Sequence, residues 1–393
     1  MDVEALKQVA CAAVDRQRAA LLRLSHEIHA HPELAFEERK AAALLVAALR
    51  TAGLEVEAGA YGLETAFAAE FGATGTPCVA VLAEYDALPE IGHACGHNLI
   101  AAAGVGAALA LASLGPDLPG RVRVLGTPAE ERGGGKEQMA RRGAFEGVDA
   151  AMMMHPAGVN RVSMPSLCVA ELEVAYRGRA AHAAAKPEQG INALDALVIA
   201  YQAIAALRQH IRASERIHGI ISEGGRAPNV VPERSAGRFY VRAADADALA
   251  ALKPRVAGCF RAGAEATGAA LSLHWGEVEY LPLRLNEPLA LAFRANAERL
   301  GREFLSAEAL PERMPASTDM GNVSQRVPSI HPMLAAAPAD CTIHDPEFAR
   351  WAASETGDAA ALDGAKALCM TALDFLCDPQ LRARVRADFE ARG

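Results

Sequence analysis

Four short apolar runs, Thr65–Phe71, Val79–Tyr85, Arg121–Gly126 and Ala150–Met154, recur along the N-terminal part of the chain. Each has strand length and strand composition. Segments 97–114 and 136–143 between them read as helices, and residues 4–22 and 37–52 space their apolar positions at the helical period. Strands that alternate with helices need crossovers, and the arrangement that buries such strands is an open, mostly parallel α/β sheet covered on both faces. The run Leu99–Leu114, largely Ala and Gly, fits a tightly packed buried helix and is too short to span a bilayer. At 393 residues the chain is longer than one such core requires, so a second domain is expected.

The middle of the chain supplies it. Ala170–Arg177, Ile217–Ser222, Ala236–Val241 and Ala270–Tyr280 pattern as strands, and Ile191–Ile211 and Ala244–Ala266 as helices. Their order is βαββαβ, that of a ferredoxin-like unit. Residues 166–278 are therefore expected to form a domain inserted into a larger one made of residues 1–165 and 279–393. Helices near 287–301, 316–326 and 354–376 complete the larger domain.

Composition narrows the partners. With 51% hydrophobic and 22% charged residues the chain is globular in character, and its net charge of −9 repels phosphate backbones and anionic lipid. Neither nucleic acid nor a membrane surface is an expected partner. Met1–Arg18 lacks the apolar core of a secretory signal, and eight cysteines are scattered singly, which suits a reducing cytoplasm.

The chemistry sits where the strands end. Val79–Tyr85 leads to Asp86 and then to His93-Ala94-Cys95-Gly96-His97-Asn98. Arg121–Gly126 leads to Glu130-Glu131, and Ala150–Met154 runs straight into His155. In a sheet of this kind, ligands bind beyond the carboxyl ends of the strands, so these groups should converge. Cys95 and His97, two apart, can be presented by one loop; Glu131 and His155 can complete a metal site, with His344 of Thr342-Ile343-His344-Asp345-Pro346 as a further ligand. Glu130 is left as a carboxylate beside the metal. A bound metal lowers the pKa of a water to about 7, and a neighbouring carboxylate can accept that proton. The thiolate favours zinc, while manganese, cobalt and nickel also fit such a site.

Read together, LSHEIHAHPELAFEE (24–38), EYDALPEIGHACGHNLIAA (84–102), GTPAEERGGGK (126–136), MMHP (153–156), GRAAHAAAKPEQGINALDA (178–196), PNVVPE (228–233), STDMGNVSQRVPSIHP (317–332) and TIHDPEF (342–348) carry a resemblance. The chain resembles the aminoacylase and glutamate-carboxypeptidase superfamily of metallopeptidases. Within it, the chain is most similar to the amidohydrolase branch of auxin-amide, hippurate and p-aminobenzoyl-glutamate hydrolases. Its EYDALPEIGHACGHNLI stretch resembles the dipeptidases acting on Xaa-Arg or β-alanyl-lysine substrates. The resemblance implies two divalent metal ions held by Cys95, His97, Glu131, His155 and His344, with Glu130 as general base and Asp86 steering a ligand. It also implies a homodimer formed through the inserted domain, whose His182 enters the partner's site, and substrate contacts from Asn229 and Arg242.

The implied reaction is hydrolysis of the amide bond of a dipeptide or an N-acyl amino acid. Aryl or acyl amino acids of the p-aminobenzoyl-glutamate type are the alternative substrates. A catalytically silent binding subunit and a thiol enzyme using Cys95 as nucleophile are readings of other classes. Two departures stand out: Asn98 replaces the branch's usual Asp, and Ser317-Thr318-Asp319-Met320 replaces its usual Ser-Glu-Asp-Phe. His26, His29, His31 and His93 read as structural, His331 as an ordinary residue, and Gly133-Gly134-Gly135-Lys136 as a flexible turn.

Overall fold

Strand β3 organises the larger unit in the computed structural model, which describes residues 2–164, 166–305 and 316–391. The chain starts with helices α1 (Val3–Ala30) and α2 (Arg39–Thr51), followed by β1 (Val56–Ala58), β2 (Phe67–Gly72) and β3 (Cys78–Ala83). Then come α3 (His97–Ala112), β4 (Arg121–Gly126), α4 (Gly135–Ala140), β5 (Ala150–Met152) and β6 (His155–Ala157). The inserted segment contributes β7 (Cys168–Arg177), α5 (Ala193–Leu207), β8 (Arg216–Glu223), β9 (Arg234–Ala243), α6 (Ala246–Thr267) and β10 (Ala270–Trp275). The chain closes with α7 (Glu287–Glu298), α8 (Met320–Ser324), β11 (Ser329–Ile330), β12 (Met333–Ala335), α9 (Pro346–Trp351), α10 (Glu355–Cys377) and α11 (Pro379–Ala391).

Two compact units result: residues 1–165 with 283–393, and residues 166–282. The inserted unit runs past residue 278 because Tyr280 and Val169 exchange backbone hydrogen bonds of 3.0 Å beside β7.

In the larger unit the strand order is β1-β2-β4-β3-β5-β11, with β12 and β6 forming a separate parallel pair. The pairs β3–β4, β3–β5 and β5–β11 are parallel, and β1–β2 and β2–β4 antiparallel, so the sheet is mixed and mostly parallel. Every residue of β3 is buried, as a strand covered on both faces requires. Helix α3 is buried at every position from His97 to Leu111, and packs with α1 and α10 against the sheet. Small residues permit that approach: a Cβ at Gly104 would lie 2.5 Å from the Leu82 carbonyl oxygen. This close seat of α3 on β3 sets His97, its first residue, beside the end of the strand.

The inserted unit is a four-stranded antiparallel sheet in the order β10-β7-β9-β8. Numbered within the unit, that is 4-1-3-2, the ferredoxin-like arrangement of a βαββαβ chain. Alternation along β7 and β9 buries Leu172, Val174, Tyr176, Phe239 and Val241 with Leu197, Ile204, Leu249, Val256 and Phe260 of α5 and α6. Among the described residues only β9 pairs with β8, which leaves β8 at one edge.

Candidate metal centre

Three parallel strands deliver the site. Beyond β3 come Glu84 and Asp86; beyond β4, Glu130 and Glu131; beyond β5, His155. Cys95 and His97 enter from the turn that starts α3, where Gly96 has a positive φ of 74°. Its Cβ would otherwise meet Pro156 at 2.6 Å. His344 arrives on a loop with φ 67°, uncommon for a residue with a Cβ, and its N–H donates to the Ala94 carbonyl at 2.9 Å. Ala129, just before Glu130, is held similarly at φ 60°.

These segments bring Asp86, Cys95, His97, Glu130, Glu131, His155 and His344 together. Ligand atoms of Cys95, His97 and His155 lie within 4.8 Å of one another, and so do those of Cys95, Glu131 and His344. Cys95 is common to both groups. Its Sγ is 3.5 Å from His155 Nε2, and His344 Nε2 is 3.3 Å from Glu131 Oε1.

The remaining hydrogen bonds orient these atoms. Asp86 binds His97 Nδ1 at 2.9 Å with one oxygen and accepts the Glu131 N–H at 2.9 Å with the other. His155 Nδ1 bonds to the Pro156 carbonyl at 2.8 Å. Both imidazoles are thereby left with Nε2 facing the cluster, the arrangement that supports metal-ligating histidines.

The donor set fits cations. Among the described residues His97 Nε2 and Glu131 Oε1 are buried without a hydrogen-bond partner, a costly state unless something else binds them. Burial pushes the Glu130 carboxyl well up, with the Glu84, Glu131 and Asp319 carboxylates adding to it. Burial and Glu131 likewise raise the Cys95 thiol. Burial opposes charge on His97, but Cys95 and Asp86 outweigh it and raise its pKa; Asp86, raised by burial, is held down by His97. Burial, then His331 and His97, hold His155 well below the usual range. A thiol, carboxylates and imidazoles so crowded are stabilised by bound cations, whose charge reverses this balance.

Sequence reasoning missed a second layer. Lys136 is fully buried between Glu84 and Asp319, both also fully buried. The Gly133–Lys136 segment is correspondingly constrained: a Cβ at Gly135 would lie 1.9 Å from the Pro128 carbonyl oxygen. A carboxylate ending a fully apolar strand run was the available signal for Glu84. His331 is buried 5.2 Å, ring to ring, from His155, and among the described residues neither of its nitrogens has a hydrogen-bond partner.

Other histidines tie α1 to its surroundings: His26 to Asp358 at 2.7 Å, His29 to the Ala349 carbonyl at 2.7 Å, and His93 to the Ile28 carbonyl at 3.1 Å. Asn98 bonds to Ser25 and the Ala352 carbonyl, so its amide is used structurally.

Glu38 holds the loop that carries Glu130. It accepts the Phe36 and Ala129 N–H groups at 3.0 and 2.8 Å and the Thr65 hydroxyl at 2.8 Å. Burial, then the Asp86 charge, push its carboxyl from 4.5 up to about 7. A raised folded-state value contributes stability below pH 4.5 that is lost as pH rises through about 7. The loss is on the order of 3 kcal/mol. Glu38→Gln keeps an oxygen for both N–H groups, and should flatten that decline in denaturant unfolding measured across the interval. A variant that declines as steeply as wild type would refute the assignment.

The three remaining sequence candidates lie in the inserted unit. His182 is exposed and pairs with Val230, next to Asn229, whose carbonyl accepts the Ala183 N–H at 3.0 Å. The structure thus brings His182 and Asn229 side by side. Arg242 is elsewhere, half-buried on β9, its Nε donating to His218 at 3.3 Å and its guanidinium over the Tyr240 ring.

Known proteins resemble this chain in sequence and in fold. Residues 80–368 match the model of peptidase family M20/M25/M40. The chain is 41% identical over 409 residues to the Xaa-Arg dipeptidase of Mus musculus, covering 100% of this chain and 94% of that protein. It is 34% identical over 300 residues to one of the polypeptides of the p-aminobenzoyl-glutamate hydrolase of Escherichia coli, covering 70% of this chain and 62% of that one. A dinuclear metal binding peptidase of the M20 family from Bacillus subtilis has the same fold, with a TM-score of 0.68 at 22% identity over 92% of this chain and 99% of that chain. A chain matched over most of its length, and carrying the ligand cluster at its strand ends, belongs to peptidase family M20/M25/M40, hydrolases of amide bonds.

Proposed function

We propose that this protein is a two-metal dipeptidase or N-acyl amino acid amidohydrolase. The observation that carries the reading is Cys95, one thiol common to two adjacent ligand groups, with the Glu130 carboxylate beside them. Cys95, His97 and His155 would hold one divalent ion and Cys95, Glu131 and His344 the other; zinc suits the thiolate best, with manganese, cobalt or nickel as substitutes. When bound, such ions polarise a water molecule and the amide carbonyl.

Glu130 takes a proton from the attacking water and passes it to the leaving nitrogen as the C–N bond breaks. Asp86 holds His97 in the tautomer that presents Nε2. His182, supplied by the partner subunit, donates a hydrogen bond to the oxygen on which negative charge develops. Arg242 binds a substrate carboxylate through charge-assisted hydrogen bonds, and Asn229, which lies apart from it beside His182, contacts the substrate separately.

The homodimer is supported by the edge position of β8 and by its exposed Ile220 and Ile221, an arrangement suited to pairing with a second copy. Mixing His182→Ala with Glu130→Gln chains should restore activity that neither has alone. Verified heterodimers without activity would rule out the shared site.

Likeness to the Xaa-Arg dipeptidase favours a dipeptide with a basic C-terminal residue; the p-aminobenzoyl-glutamate hydrolase relative makes that aryl amide the second candidate. The deciding experiment is a hydrolysis panel with metal-loaded protein. It compares Xaa-Arg, Xaa-Lys and β-alanyl dipeptides with p-aminobenzoyl-glutamate, hippurate and indole-acetyl amino acids. Cleavage of none of them would overturn the reading. Eight free cysteines support a cytoplasmic location, and among the described residues no helix is long and apolar enough to cross a membrane.

A further inference from the structure

Side chains alternate along β8 and β9. Ile217, Phe239 and Val241 are buried against α5 and α6, so Arg216, His218, Tyr240 and Arg242 share the opposite face of the sheet. In the β8–β9 register His218 stands directly opposite Tyr240, and Arg216 opposite Arg242. Three of these side chains interlock. Arg242 Nε donates to His218 Nε2 at 3.3 Å, and the Arg242 guanidinium carbon lies 5.8 Å from the centre of the Tyr240 ring. The His218 ring meets that same ring edge-on, with centroids 5.7 Å apart.

The bond from Arg242 requires His218 Nε2 without a proton. Partial burial, then the Arg242 and Arg208 charges, hold the imidazole below its ordinary range, so Nε2 accepts while Nδ1 keeps the hydrogen. A neutral imidazole and an aromatic face orient the guanidinium without cancelling its charge. Arginine can grip a carboxylate with two parallel N–H groups, using either Nε with one Nη or both Nη. His218 occupies Nε, so the edge selected for two-point binding is the pair of Nη groups. Like charges directly across a strand pair repel, and Arg216 is drawn aside by the Ala213 and Glu215 carbonyls.

We propose that His218 is a positioning residue for carboxylate recognition: it holds Arg242 by Nε, over Tyr240, so that the Nη edge meets a substrate that ends in a free carboxylate. This rests on the reading of Arg242 given above. A long side chain fixed in advance loses less freedom when the substrate arrives, so the contribution falls on binding and not on the bond-breaking step.

The test uses the metal-loaded full chain and one dipeptide that it cleaves. KM and kcat are measured for the free acid, and the C-terminal amide of the same dipeptide is titrated as a competitive inhibitor. His218→Phe keeps a ring against Tyr240 and removes the acceptor; it should raise KM for the acid by about tenfold and change kcat by less than about threefold. Inhibition by the amide should be unchanged. His218→Gln offers a carbonyl oxygen in place of Nε2 and should return KM to within about threefold of wild type. His218 is exposed, so both variants leave the core of the inserted unit intact. An unchanged KM in His218→Phe, equal losses in the two variants, or equal effects on acid and amide would overturn the proposal. Arg242→Ala separates the two readings. It should weaken the acid by at least about a hundredfold and spare the amide, and equal weakening of both would instead sink the assignment of Arg242 itself.

Discussion

Replacing Glu130 with glutamine is expected to lower kcat by about a thousandfold while both divalent ions stay bound. The amide is isosteric with the carboxylate, so packing around this nearly buried side chain is kept. What is lost is the capacity to carry a proton from water to the leaving amine. Glu130 suits that task because it lies against the cluster without belonging to either Cys95 group. Steady-state kinetics on a dipeptide substrate, with elemental analysis of the same preparation, would separate the effects. Activity within tenfold of wild type would remove Glu130 as the base. Loss of metal together with activity would make it a ligand instead.

Cys95→Ala is expected to act on a different quantity, because the thiol is counted in both ligand groups. Both ions should weaken together, each by more than about a hundredfold, and the purified protein should carry almost no metal. His155→Ala and His344→Ala each touch one group and should release mainly one ion. The contrast tests the sharing directly. It also decides against or for a thiol nucleophile: such an enzyme would lose activity on Cys95→Ala with its metal content unchanged. Cys95 is small and buried, so the truncation removes little packing and the folded protein remains available for measurement.

Much of the fold was legible because its strands are long enough to show a pattern. Arg121–Gly126 has the same limits in sequence and structure, and the β7–β10 elements appear in the expected order. What escaped was short or set by partners. Strands β11 and β12 have two and three residues, too few to carry a period, and exist because they pair with β5 and β6. Helix α1 runs on to Ala30, past the expected residue 22, because His26 and His29 are anchored on α10 and α9. The helix expected over 316–326 is confined to Met320–Ser324.

At the site, the residue types and their place after strands were readable one by one. Cys-x-His, paired glutamates and a histidine at the ends of successive strands announce metal chemistry, since few other tasks need those donors together. The linear chain determined which side chains could meet. Tertiary structure alone decided which atoms they present. Asp86 and the Pro156 carbonyl take Nδ1 of His97 and His155, leaving Nε2 of each for the centre. Lys136, which read as part of a flexible turn, became a buried cation because Glu84 and Asp319, 52 and 183 residues away, close around it. Local pattern encodes which face of a strand or helix is apolar, whereas the pairing of buried charges depends on distances between remote segments, and those exist only once the chain has folded.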